Sequence, residues 1–248
     1  MDKVKISAVS YTNTQPFIYG LRHTNIINKI DLSLDIPADC AQKLIDNTVD
    51  IGLIPVAAVI NLPYWEIVSD YCIGADGPVN SVFIFSNCEI HQVKTLQLDP
   101  ESRSSNNLAR VLLKNYWQIK PDMIVNAPDY SLSTDLNTGF VQIGDRTFGK
   151  KGKYKYAYDL AEIWKIFTGL PFVFAAWIAN KNISQQFMDE FNQSLKVGLD
   201  NRDKVIKELS ARNDFDFNDY LMHKLDFSLT ENKIKALHLF IDYIKKLD

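Results

Sequence analysis

The feature that most limits the fold is an alternation of short apolar runs with helical stretches over residues 4–62. Val4–Val9 reads as a strand and residues 14–22 as a helix, with Pro16 in its first turn, where a missing amide costs little. Residues 32–36 alternate with period two, and Pro37 ends the run before a helix over 38–47. Residues 50–54 form a buried strand, followed after Pro55 by an apolar helix over 56–62. This order predicts βαβ units and a largely parallel sheet.

The pattern changes after Ile67. Residues 71–74 and 79–85 read as strands separated by Gly77-Pro78 instead of a helix, which marks a passage into a second lobe. That lobe carries its own α/β pattern: strands at Thr95–Leu98, 123–126 and 139–143, and helices at 104–117 and 159–168. A β run over 171–179 leads back. Helical periodicity over 183–210 and 232–247 then predicts tail helices that cover the first sheet. The expected organisation is lobe I from 1–86 with 178–248 and lobe II from 87–177, with crossings near 84–90 and 176–182.

Composition removes several function classes. The net charge of −3 gives no general attraction to nucleic acid or an acidic membrane, so an anionic ligand must be held by local groups. Cys40, Cys72 and Cys88 lack CxxC spacing and read as reduced, buried thiols. No apolar run approaches the roughly 20 residues of a membrane span, and a strand follows Met1-Asp2-Lys3 at once, so a cytoplasmic location is expected. His23, His91, His223 and His238 lie outside the polar clusters, and HExxH, GxSxG, GxGxxG and GxxxxGK[ST] are absent, which disfavours zinc enzymes, serine hydrolases, Rossmann dehydrogenases and P-loop enzymes.

Ligands of open α/β sheets bind beyond the carboxyl ends of strands. Four polar clusters lie there: residues 10–14, 74–81, 102–105 and 144–146. Hydroxyls and free amides at a helix start suit a carboxylate, and an ordinary helix cap uses the same residue types. Asp145 fits a cap of a short helix over 146–148, Arg146 an ion pair, and Lys150-Lys151-Gly152-Lys153 a solvated loop.

Five ordered motifs are more specific than any one of them: Ser7-Ala8-Val9-Ser10-Tyr11-Thr12-Asn13-Thr14-Gln15-Pro16-Phe17, Asp50-Ile51-Gly52-Leu53-Ile54-Pro55-Val56, Gly77-Pro78-Val79-Asn80-Ser81-Val82, Asp99 with Ser102-Arg103-Ser104-Ser105, and Thr168-Gly169-Leu170-Pro171-Phe172-Val173-Phe174-Ala175. Over residues 4 to about 180 the chain resembles the chorismate dehydratases of the futalosine route to menaquinone. The resemblance implies a two-lobed α/β fold of the type II periplasmic-binding-protein kind, a ligand cleft between lobes, and a helical C-terminal tail. It implies loss of water from chorismate to give 3-[(1-carboxyvinyl)oxy]benzoate, with no metal and no organic cofactor. Asn13 and Ser81 match its functional positions. Ser10, Tyr11, Thr12, Ser102, Arg103, Ser104, Ser105, Gly144, Asp145, Thr168, Gly169 and Phe172 are the expected substrate-binding residues. The familiar SRTS of the second-lobe anion site is Ser-Arg-Ser-Ser here, with the hydroxyl of Ser104 kept.

Asn and Ser are poor bases at neutral pH, so both are expected to hold the substrate and stabilise developing charge while the enolpyruvyl carboxylate of chorismate takes the ring proton. Two rivals remain. One is a cytoplasmic small-anion-binding protein, and the other is the related dihydroxynaphthoate synthase of the same pathway. The sequence leaves the oligomeric state open.

Overall fold

The computed structural model describes residues 3–125 and 136–247. The first lobe begins with β1 (Val4–Val9), α1 (Gln15–Arg22), β2 (Ile30–Asp35), α2 (Pro37–Ile45) and β3 (Ile51–Pro55). β1 pairs in parallel with both β2 and β3, as the alternation requires. The apolar run after Pro55 is a tight 3₁₀ helix over Val56–Asn61 instead of an α-helix. The β-branched Val56, Val59 and Ile60 disfavour the α form, and Pro63 prevents the run from lengthening.

β4 (Glu66–Ala75) follows in the same sheet, but β5 (Val82–Ser86) joins the second one, with β6 (Thr95–Leu98), α3 (Arg103–Asn115), β7 (Asp122–Val125), β8 (Thr138–Ile143), β9 (Tyr156–Asp159) and α4 (Leu160–Thr168). Of the strand expected at 123–126, Asn126 lies outside the described residues. β10 (Phe172–Ala179) returns to the first sheet between β3 and β4. The two sheets run β11-β4-β10-β3-β1-β2 and β7-β6-β8-β5-β9. Both crossings therefore lie upstream of their expected places: Val82–Ser86 ladders onto β8 and β9, and Phe172–Ala179 onto β3 and β4. Both strands are buried along their whole length, so an apolar run alone does not say which sheet it joins.

The tail forms α5 (Gln185–Asp200), α6 (Arg202–Glu208), α7 (Phe217–Asp219) running into a π turn over Tyr220–Lys224, β11 (Asp226–Ser228) and α8 (Glu231–Ile244). The single helix expected over 183–210 breaks at Asn201, whose side chain bonds the Val197 carbonyl at 2.8 Å. α5 packs on β4 and α1, and α8 on β10 and the 56–61 helix, so the tail covers the first sheet. The α1 contact is backbone on backbone. A Cβ on Gly20 would sit 2.0 Å from the Ser194 carbonyl oxygen, and one on Gly198 only 1.7 Å from that of Pro16. One continuous core runs through both lobes, and the three cysteine side chains are buried. Among the described residues no helix is long and apolar enough to cross a membrane.

Candidate active site

β1 delivers residues 10–14 to the junction between the lobes. The hydroxyls there do not cap their own helix: Thr12–Thr14 forms a 3₁₀ turn without a side-chain cap bond. The cap comes from the opposite lobe. Asp145 accepts the Thr12 amide at 3.1 Å from each carboxylate oxygen and the Thr12 hydroxyl at 2.9 Å. Burial pushes the Asp145 carboxyl up, and the Thr12 bonds oppose that shift. This carboxylate therefore takes the first-lobe anion corner expected for substrate, and Asp145 serves another lobe's helix instead of the turn at Gly144–Thr147. Tyr11 also crosses the cleft, donating its phenol to Glu101; burial first, and that bond second, raise its pKa. Asn13 remains at the cleft, with its Oδ1 accepting the Thr14 hydroxyl at 3.1 Å.

Ser81 ends the turn after β4. Gly77 at φ 116° and Asn80 at φ 59° supply the left-handed backbone that this turn needs. Asp159 fixes it from α4: its carboxylate accepts the Asn80 amide at 2.7 Å and also the amides of Ala161 and Glu162, at 3.0 and 3.3 Å, as the cap of that helix. Burial pushes the Asp159 carboxyl up to about 6. The Ser81 carbonyl accepts the Gly144 amide at 2.8 Å, and its Oγ accepts the Tyr220 phenol at 2.9 Å.

The α3 start forms the facing wall. Ser102 Oγ caps the helix by accepting the Ser105 amide at 3.1 Å, and Ser104 Oγ accepts the Ala57 amide of the first lobe at 3.1 Å. Behind it, buried Asp99 accepts Arg146 Nη2 at 2.7 and 2.8 Å and the amides of Glu101 and Ile143 at 2.9 and 3.1 Å. Arg146 thus has its expected ion pair, and it ties β8 to the turn that launches α3.

A cavity of about 60 Å³ between the lobes is lined by Tyr11, Asn13, Ser81, Ser104, Ser105 and Phe174, among others. Small-molecule sites run to roughly 300–1,000 Å³, so the lobes must part to admit such a ligand. None of the described residues lining the cavity is Asp, Glu, His, Lys or Arg. Its polar surface is made of hydroxyls, one amide and the α3 helix start. Among the described residues no group of three or more His, Cys, Asp or Glu is placed to hold a metal ion.

A family model described as menaquinone biosynthesis matches residues 4–246. The chain belongs to that menaquinone-biosynthesis family. Solved structures show the same fold at low identity. Protein AF1704 from Archaeoglobus fulgidus superposes with a TM-score of 0.75 at 13% identity, over 98% of this chain and 97% of that one. The Candida albicans CA3427 gene product, described as having the generic periplasmic binding protein fold, gives 0.62 at 12% over 99% and 94%. The alkanesulfonate-binding protein SsuA from Xanthomonas axonopodis pv. citri gives 0.64 at 14% over 100% and 95%. The fold is therefore the two-lobed periplasmic-binding-protein fold that the motifs imply.

Of the residues expected in this family member's site, Tyr11, Asn13, Ser81, Ser102, Ser104, Ser105 and Gly144 line the cavity. The others lie elsewhere. Ser10 is exposed, and Thr12 and Asp145 are spent on each other. Arg103 points to Gln42, 3.2 Å away, because its neighbours Ser102, Ser104 and Ser105 occupy the inward side of the turn. Thr168 bonds the Trp164 carbonyl at 2.9 Å and Gly169 ends α4 at φ 74°, so both terminate a helix. Phe172 packs between Trp164 and Phe240, with ring centroids at 5.4 and 4.9 Å. The strand is irregular between Val173 and Ala175, and there Phe174 and Ala175 face the cavity. Thr14, Val79 and Leu225 also line it: the first two fall in the expected polar clusters without being named as substrate-binding, and Leu225 comes from the tail, where no motif marks it.

Proposed function

We propose that this protein is a cytoplasmic hydro-lyase that converts chorismate to 3-[(1-carboxyvinyl)oxy]benzoate. The observation that carries this reading is a cavity wall that is rich in hydrogen-bond donors and, among the described residues, free of any ionisable side chain that would serve as a base near neutral pH. Water elimination needs a base, and chorismate brings one. Its enolpyruvyl carboxylate takes the proton from the ring carbon bearing the ether. The C–H electrons form the new ring double bond, the adjacent C–O bond breaks, and the departing hydroxide leaves as water with that proton. The ring becomes aromatic and the carboxylate is regenerated.

The residues then have passive but exacting tasks. The α3 start suits the ring carboxylate, by the hydroxyls of Ser104 and Ser105 and the helix dipole together. Asn13 and Ser81 hold the hydroxyl and the enolpyruvyl group so that carboxylate and C–H meet, and stabilise charge on the departing oxygen. Incubation with chorismate should give the aromatic product, and an analogue lacking the enolpyruvyl carboxylate should bind without turning over. Normal turnover of that analogue sinks the substrate-base mechanism. Tight chorismate binding with no product at high protein concentration favours a small-anion-binding protein, the reading supported by the same helix-start corner. Dihydroxynaphthoate synthase chemistry has less support, since no histidine lines the cavity.

A further inference from the structure

Tyr220 comes from the tail, yet its phenol ends between the two side chains assigned to the chemistry. It opens the π turn after α7 and is 1% exposed. Its ring is held edge-on by Phe148 of the second lobe and by Phe215, with centroids at 5.5 and 5.3 Å. The hydroxyl bonds Ser81 Oγ at 2.9 Å, and the Asn13 side chain opposes the rise that burial causes in the pKa of the same phenol. Filling this space needs only the ring, and a Phe would do it. A buried hydroxyl costs free energy unless it is bonded, and this one is bonded to Ser81.

Proton counting says what each direction of this bond would leave free. A serine hydroxyl has one hydrogen, and a tyrosine hydroxyl has one. Asn13 Oδ1 accepts from Thr14, and its side chain favours the ionised phenol, as an amide NH₂ turned toward the phenol oxygen does. With the phenol donating to Ser81 Oγ, the Ser81 hydrogen is free for the cavity. On the dehydratase reading, we infer that Tyr220 is a positioning residue: it links Asn13 to Ser81 and orients the Ser81 hydroxyl as a hydrogen-bond donor toward the departing oxygen of the substrate. Serine thereby acts as a donor and never as the proton acceptor.

Tyr220→Phe keeps the ring and removes the bond. With chorismate, kcat should fall about tenfold with KM within about twofold, the size expected for losing one aligned hydrogen bond. The double variant Tyr220→Phe/Ser81→Ala should be no slower than Ser81→Ala alone, because the phenol acts through that serine. In a crystal structure of Tyr220→Phe, Ser81 should leave its present side-chain orientation or split between two. An unchanged kcat, additive losses in the double variant, or an undisturbed Ser81 overturns the inference. If the parent protein makes no aromatic product, the dehydratase reading fails on its own, and the Ser81 orientation in the variant crystal still decides whether Tyr220 positions it.

Discussion

Gly198 lies in α5, away from the cavity, yet replacing it with alanine should damage both stability and turnover. The new Cβ would sit 1.7 Å from the Pro16 carbonyl oxygen, whereas real contacts of this kind essentially never fall below 3.0 Å, so α1 and α5 must separate by at least 1.3 Å. Two effects compete. Alanine in a helix interior gains about 1 kcal/mol over glycine. Overpacking costs about 1–3 kcal/mol, and the upper end applies because the obstacle is backbone, which cannot swing aside. The net is a loss of about 2 kcal/mol, or a Tm lower by about 4–8 °C for a domain of this size. The second effect is geometric. α1 begins at Gln15, two residues after Asn13, so a shift of its first turn moves the Asn13 amide. A misplacement near 1 Å can cost about a hundredfold in rate. Scanning calorimetry and the rate of aromatic product formation read the two effects separately. A Gly198→Ala protein that melts no lower than the parent refutes the packing argument. One that melts lower but keeps its kcat refutes the link to Asn13.

Two further outcomes follow from the buried carboxylates. Asp159 has a folded pKa of about 6 against 3.8 for the free group, so folding favours its protonated form; its contribution to stability is complete below pH 3.8 and is lost as pH rises through 6. The loss is about 3 kcal/mol; Asp159→Asn should remove it, so that the Tm of the variant gains on the parent between pH 4 and 7, and parallel Tm curves would count against the assignment. Asp145→Ala strands the Thr12 amide and hydroxyl at the lobe junction, which should lower stability by about 1–3 kcal/mol and reduce kcat/KM for chorismate by weakening closure; unchanged kcat/KM would show that this contact does not hold the lobes together.

The alternating pattern made the first parallel strands legible, and polar clusters at strand ends pointed to three segments that do line the cavity, within which the family resemblance singled out Asn13 and Ser81. What stayed hidden is long-range. Ser81 and Tyr220 are 139 residues apart, and Tyr220 lies in a stretch with neither strand nor helix periodicity. The Thr12–Asp145 pairing was hidden for the same reason, since each residue alone looks like a local cap. The lobe crossings were misplaced because wholly buried strands carry no alternation to mark the sheet that receives them. Arg103, Thr168, Gly169 and Phe172 show a different limit: a motif names a neighbourhood, and the local turn of the backbone decides which of its side chains look inward.

The place of Ser81 in the chain has a mechanical consequence. It ends the short segment joining β4 of the first sheet to β5 of the second, one of the two chain crossings on which the lobes would swing. Points near an axle travel least. Opening would pull Ser104 from Ala57 and Asp145 from Thr12 while leaving Ser81 and Tyr220 nearly in register. The serine would then be the fixed landmark against which an incoming substrate is first aligned, and the α3 wall the part that arrives later.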